Sequence, residues 1–267
     1  MLWEEYFKLN HRQRRTIPWE KGVQLPESMR MEFVRSLQRF QLGESGDGRC
    51  LRRHALTEPP EYRAALEWFI REEQEHARLM GRVLDALKEP KLEWHWTDWG
   101  FEKVRRLLGL KMEIMVLLVA EMIAKRYFRA LHEGVEDSVV KAIAGQIGHD
   151  EEGHLAFQVD FLRQAFAGSS FFRRLLVAGI WRLMFRAACL LVWWDHGRLL
   201  RQCGVTAEGF WWDCGLIFDE VSAGVFAGAA QPSLSSRACR SFIGNLNDVR
   251  PPIRRGVSGR DQRAPMA

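Results

Sequence analysis

The chain has 267 residues, 47% of them hydrophobic, enough to bury a sizeable core, and one folded body with an accessory segment suits that length better than two independent domains. Its formal charge of +5 does not indicate a nucleic-acid-binding body: from Gln231 onward seven Arg face two Asp, which accounts for the whole excess and leaves residues 1–230 close to neutral. The five cysteines, Cys50, Cys189, Cys203, Cys214 and Cys239, form no Cys-x-x-Cys and no even framework, so reduced thiols are expected and a disulfide scaffold is excluded.

Residues 1–26 read as an N-terminal extension with Arg and aromatic residues but no continuous apolar stretch. No signal or transit peptide is evident there, which places the chain in the cytoplasm or at the inner face of a membrane. From residue 27 to 166 the pattern is helical. Phe33, Leu37, Phe40, Glu44 and Leu51 follow the three-and-four spacing of one helix face. Leu66, Phe69, Glu73, His76, Met80, Val83 and Leu87 repeat it, as do Leu110, Ile114, Leu117, Glu121, Ala124 and Phe128. The fourth stripe is Val140, Ala144, Ile147, Glu151, His154 and Phe161. Each stripe carries a glutamate at mid-height, aimed at the core.

Two of those glutamates belong to Glu-x-x-His pairs, Glu73 with His76 and Glu151 with His154. Chance alone supplies about 0.7 such pairs in a chain of this composition, so the motif by itself is weak. The spacing adds force. In an antiparallel helical hairpin, residues equidistant from the turn lie at one height, so the midpoint between two ligands should fall on a turn. Glu44 and Glu73 centre on Glu58 and Pro59, within Thr57-Glu58-Pro59-Pro60; Glu121 and Glu151 centre on Glu136, within Gly134-Val135-Glu136-Asp137. Glu73 and Glu121 centre on Thr97, between Pro90 and an apolar run from Phe101. Four carboxylates buried without cations would cost many kcal/mol or force protonation, so the arrangement implies two bound metal ions. The expected ligands are Glu44, Glu73, His76, Glu121, Glu151 and His154.

This order and spacing resembles the ferritin-like di-iron carboxylate superfamily, in which two helices give one Glu each and two give Glu-x-x-His. Glu44 within Gly43-Glu44-Ser45-Gly46 looks like the first-helix ligand of rubrerythrins and ubiquinone-biosynthesis hydroxylases, and Glu73 with His76 like the second-helix pair. Aldehyde-deformylating oxygenases share the layout. The resemblance covers about residues 27–166 and implies a ferritin-like four-helix bundle. Glu121 follows Glu44 by 77 residues, and Glu151 follows Glu73 by 78, which suggests a duplicated hairpin. The resemblance also implies that acids preceding each motif orient the histidines across the core: Asp150 toward His76 and Glu72 toward His154, with solvated helix flanks as the alternative. Glu75, Glu152 and His149 fall off the stripes and read as surface residues; Glu113 borders a channel or snorkels.

Residues 167–230 read as an accessory aromatic-rich pair of helices. Leu175 to Trp194 is apolar enough to suggest a span, but Arg182 and Arg186 interrupt it, and an amphipathic helix describes it better. A second helix is expected from Thr206 to Ala227. Residues 231–267, rich in Pro, Ser, Gly and Arg, read as a disordered basic tail, either a solvated appendage or a contact for anionic lipid, an acidic partner or RNA.

The expected class is all-α, and the expected function an oxidase or oxygenase that uses two Fe ions, or an Fe/Mn pair, to activate O2 and oxidise a hydrophobic small molecule. Lacking a rubredoxin-type iron centre, it requires an external electron donor. Membrane-surface contact and a homodimer are compatible with this reading, and specific nucleic-acid binding is not part of it. The alternatives are a ferroxidase or iron-handling protein, and a non-enzymatic metal-dependent interaction protein. The glycines in Glu44-Ser45-Gly46-Asp47-Gly48 either leave room for substrate or oxygen beside a ligand or mark local irregularity at the first helix's end.

Overall fold

The computed structural model describes residues 2–95 and 109–226. The turn expected around Thr97, the run from Phe101, Cys239 and the basic tail lie outside them. Among the described residues the chain is all-helical, with eight α-helices, one 3-10 turn and no strand. The helices are α1 (Trp3–Arg12), α2 (Glu27–Gly43), α3 (Arg49–His54), α4 (Pro60–Ala86), α5 (Gly109–Gly134), α6 (Ser138–Phe166), α7 (Phe171–Gln202) and α8 (Ala207–Phe226), with the 3-10 turn at Trp19–Lys21.

The helix limits follow local chemistry. Helix α4 begins on Pro60, whose missing N–H costs nothing in the first turn, and has Glu61 at its positive end. It closes where Lys88 takes a positive φ of 59° and the Glu89 N–H donates back to the Leu84 carbonyl at 2.9 Å, just before Pro90. Helix α6 is capped by Asp137, whose carboxylate accepts from Val139 N and Val140 N at 3.0 and 2.8 Å. The turn between α5 and α6 therefore sits at Val135-Glu136-Asp137. The first hairpin is less regular. Helix α2 stops at Gly43, residues 44–48 break the stripe, and α3 is a separate short helix that starts after Gly48 at φ +68°. A Cβ at Gly48 would approach the Ile70 side chain to 2.7 Å, so that position needs glycine for both conformation and space.

Helix α5 packs along α6, α2 along α4, and α4 meets α6, which brings the four striped faces together. Phe33, Phe69, Met80, Ile114, Phe128, Ile147 and Phe157 are buried in the shared core. At roughly 2 kcal/mol for each fully buried large apolar side chain, this core is the main stabilising element. Helices α7 and α8 pack on each other; α7 also lies against α2 and α5, and α8 against α5 and α6. Trp181 is buried there and donates its indole N–H to the Met115 carbonyl at 2.9 Å, satisfying the ring's one polar atom. The N-terminal extension is not a loose appendage: α1 lies across α4 and α6 with Phe7 fully buried.

Helix α7 departs from the amphipathic expectation. Its inward face buries Trp181, Phe185 and Cys189, yet its outward face carries Leu176, Ile180, Leu183, Leu190 and Trp194, all exposed. It is apolar on both faces because only Arg182, held by Asp219 at 2.6 Å, and Arg186 interrupt the outer stripe. By length and composition α7 is able to cross a membrane, although a core helix of a soluble protein passes the same test.

Candidate metal centre

All six expected ligand residues converge where α2, α4, α5 and α6 meet. The ligand atoms of Glu73, Glu121, Glu151 and His154 lie within 4.8 Å of one another, and so do those of Glu44, His76 and Glu151. Glu151 belongs to both groups, which places it between two candidate ion positions. His154 Nδ1 stands 3.0 Å from Glu73 Oε1, 3.3 Å from Glu121 Oε2 and 3.6 Å from Glu151 Oε2. His76 Nδ1 stands 3.7 Å from Glu151 Oε1 and 3.8 Å from Glu73 Oε1.

The back of each imidazole is tied across the core. His76 Nε2 meets Asp150 Oδ2 at 3.0 Å, and His154 Nε2 meets Glu72 Oε2 at 3.1 Å. Histidine and acid come from opposite helices in both cases, as the sequence reading anticipated for Asp150 and Glu72. A carboxylate only accepts, so each Nε2 carries a proton toward its acid; His154 Nδ1, facing the carboxylates of Glu73 and Glu121, is a donor as well in the metal-free cluster, and a bound ion would take the place of that proton.

The electrostatics follow from like charges crowded in a buried place. Burial first, and then the neighbouring Glu73, Glu151 and Glu121 carboxylates, push the Glu44 carboxyl well above the usual range. Glu151 rises in the same direction, through burial and then Glu121. Burial would lift Glu73 too, but the bond and charge of His154 outweigh it and hold Glu73 down at about 2. Burial alone would depress His154, yet Glu121, Glu151, Glu72 and Glu73 together raise it well above an ordinary imidazole. The protein by itself thus gathers protons where like charges crowd. Two atoms of the cluster have no hydrogen-bond partner: His76 Nδ1 and Glu151 Oε2 are buried without one. Unpartnered buried atoms among carboxylates and imidazoles whose ligand atoms lie within 4.8 Å of one another fit a site able to hold metal ions.

A cavity of about 220 Å³ abuts the carboxylates. Glu44, Glu73, Glu121 and Glu151 line one side, and Phe40, Leu117, Ile123, Ala188, Leu191 and Val192 line much of the rest. Arg39, paired with Asp195, and His196 border it. His196 Nδ1 shares a 2.7 Å hydrogen bond with Ser36 Oγ, which lies 2.7 Å from the Tyr127 hydroxyl. Burial, followed by the charge of Arg39, lowers His196 to about 3, so it is neutral at any ordinary pH. Nothing in the sequence marked His196, Ser36 or Tyr127, because they meet only through the packing of α2, α5 and α7. A larger open cavity of about 540 Å³ lies away from the carboxylates, between Trp3, Tyr62, Lys111 and Phe157.

Other acids are placed differently from expectation. Glu152 is buried and pairs with Lys125 at 3.3 Å, so it is no surface residue; an off-stripe position on α6 is covered by α8 and α5 rather than by water. Glu75 is half-buried beside Arg78, and His149 is exposed. Glu113 is fully buried, 2.6 Å from His54 Nδ1, and with Cys50 and His54 forms a further group able to hold a metal ion. Gln158, one turn after His154, donates to Glu121 Oε1 at 3.0 Å. Comparison with protein-family models, with curated proteins and with solved structures gave no match.

Proposed function

We propose that the chain is a ferritin-like di-iron carboxylate oxidoreductase, with α2, α4, α5 and α6 as its four-helix bundle, that uses O2 to oxidise a hydrophobic small molecule. The observation that carries this reading is the apolar cavity opening onto Glu44, Glu73, Glu121 and Glu151. Iron handling needs carboxylates reached by hydrated ions, whereas a largely apolar cavity of about 220 Å³ at the same carboxylates suits an organic substrate. Glu44, Glu73, His76, Glu121, Glu151 and His154 would hold two ions, Fe or an Fe/Mn pair, and the bound metals supply one-electron and O2 chemistry.

The chain's own residues do the rest. Asp150 and Glu72 accept from Nε2 of the two histidines and so would leave each Nδ1 lone pair for a bound ion. Gln158 anchors one oxygen of Glu121. Phe40, Leu117 and Ile123 exclude water and bind the apolar body of the substrate, while His196, neutral and tethered by Ser36, offers a polar contact at the cavity's edge. The exposed apolar face of α7, whose Leu191 and Val192 also line the cavity, supports a position at a membrane surface for a cytoplasmic protein receiving electrons from an external donor.

The test is anaerobic loading with ferrous iron, removal of loosely bound metal and plasma mass spectrometry, then O2 uptake with a chemical reductant. About two irons per chain and reductant-dependent O2 uptake, slowed by a cavity-filling Ala188→Phe at unchanged iron content, support the reading. An iron-free chain, or two irons with no O2 uptake, would sink it.

A further inference from the structure

We infer that the N-terminal helix is a clamp on the metal centre, and that Asn10, with Arg14 beside it, is the positioning residue joining the two histidine-holding acids into one hydrogen-bonded chain. The inference rests on the metal-centre reading above and extends it to residues outside the four helices that carry the ligands.

Asn10 is buried at the end of α1, and its side-chain Nδ2 donates 2.8 Å bonds to both Glu72 Oε1 and Asp150 Oδ1. Both partners only accept, so the orientation of the amide is settled and both of its N–H groups are used. Each acid gives its second oxygen to a histidine: Glu72 Oε2 to His154 Nε2 and Asp150 Oδ2 to His76 Nε2. The chain therefore runs His154, Glu72, Asn10, Asp150, His76, and a single amide sits at its centre. If that amide is lost, both acids lose a donor at once, and the two imidazoles lose their shared reference.

Arg14 supplies the charge this arrangement needs. Its guanidinium contacts Asp150 directly and lies 3.7 Å from Glu72. Two carboxylates would otherwise face each other across one amide in a buried place, which is costly. The segment is gripped at further points. The Arg15 backbone N–H donates to Gln146 Oε1 at 2.9 Å, and Gln146 Nε2 donates to Asp150 Oδ1 at 2.9 Å. Tyr6 packs against Gly153, between Glu151 and His154, where a Cβ would collide with its ring. At the far end of α1, Trp3 Nε1 donates to Asp160 at 3.0 Å.

The experiment uses the full chain and Co(II) as the probe, reading affinity by chelator competition, coordination by visible absorption, and folding by circular dichroism. Asn10→Ala and Arg14→Gln are expected to keep wild-type helix content, weaken Co(II) binding about 10- to 100-fold and shift the ligand-field bands. Asn10→Ser, which retains one donor, should fall between. Trp3→Phe loosens α1 without touching either acid and should leave the bands in place. Folded Asn10→Ala with wild-type affinity and bands overturns the clamp, and so does a Trp3→Phe spectrum that moves as far. Should Asn10→Ala not fold, Arg14→Gln decides, since its side chain lies at the margin of the core; unchanged bands there overturn the proposal. A wild-type chain that takes up no Co(II) overturns the metal centre itself, and is seen before any variant is made.

Discussion

The two halves of the candidate centre have the same residue types in the same order, yet they are built differently. In the α5–α6 half, Glu121 stands in the middle of an unbroken helix, is held by Gln158, and faces Glu151, whose side chain is 1% exposed. In the α2–α4 half, Glu44 falls just beyond the last turn of α2, where the glycine-containing break begins, and Glu73 is 18% exposed toward the cavity. At the place corresponding to Gln158, one turn past its histidine, α4 has Met80, which offers no hydrogen bond. The α5–α6 half is thus the more regular of the two and the α2–α4 half the more broken, although carboxylates of both line the cavity.

The largest effect is expected at the residue the halves share. Glu151→Ala should remove nearly all tightly bound iron while helix content by circular dichroism stays close to wild type; near-full iron content would break the two-position reading. Next come Glu121→Ala and His154→Ala, expected to cut iron to about half or less, with Glu44→Ala milder, roughly a tenfold loss of affinity, because Glu44 is held beyond the end of α2 rather than within a helix. Equal losses in both halves, by plasma mass spectrometry, would show that the asymmetry has no bearing on binding. Gly48→Ala should destabilise the chain by about 1–2 kcal/mol from the left-handed backbone, plus the cost of moving Ile70, read as a lower urea midpoint.

The smallest and most graded effect is with pH. In the metal-free chain Glu44, Glu151 and His154 bind protons more tightly folded than unfolded, so stability from them is present below their ordinary values of 4.5 and 6.5 and is lost as pH rises toward the folded values. Glu73 has the opposite sign, and its contribution is lost only as pH falls from 4.5 toward about 2. Between pH 5 and 8 the metal-free melting temperature should therefore fall relative to that of the metal-loaded protein, whose ions replace those protons. Parallel curves would show that the cluster does not govern stability.

Much of the centre was legible because it is periodic. Apolar residues at three-and-four spacing put Glu73, His76, Glu121, Glu151 and His154 on inward faces, and the midpoints at Pro59 and Glu136 correspond to the N-cap of α4 and the turn before Asp137. The stripe from Phe33 to Leu51 misled by continuing through residues 44–48, because Leu51 returns to the core on a separate helix after Gly48 turns the chain. Glu152 misled for a different reason: its burial comes from neighbours of α6, not from its place on the stripe.

Local spacing by itself determined the helices, their inward faces and the residue types at mid-height, since side chains three and four apart share a face whatever surrounds them. Only the tertiary structure decided that Ser36, Tyr127 and His196 meet beside the cavity, that α3 is a separate helix after the break at residues 44–48, and that Asn10 reaches Glu72 and Asp150 across 62 and 140 residues of chain. Contacts at such separations depend on how whole helices cross, and that is set by the packing of their surfaces together, which no single stretch of sequence encodes.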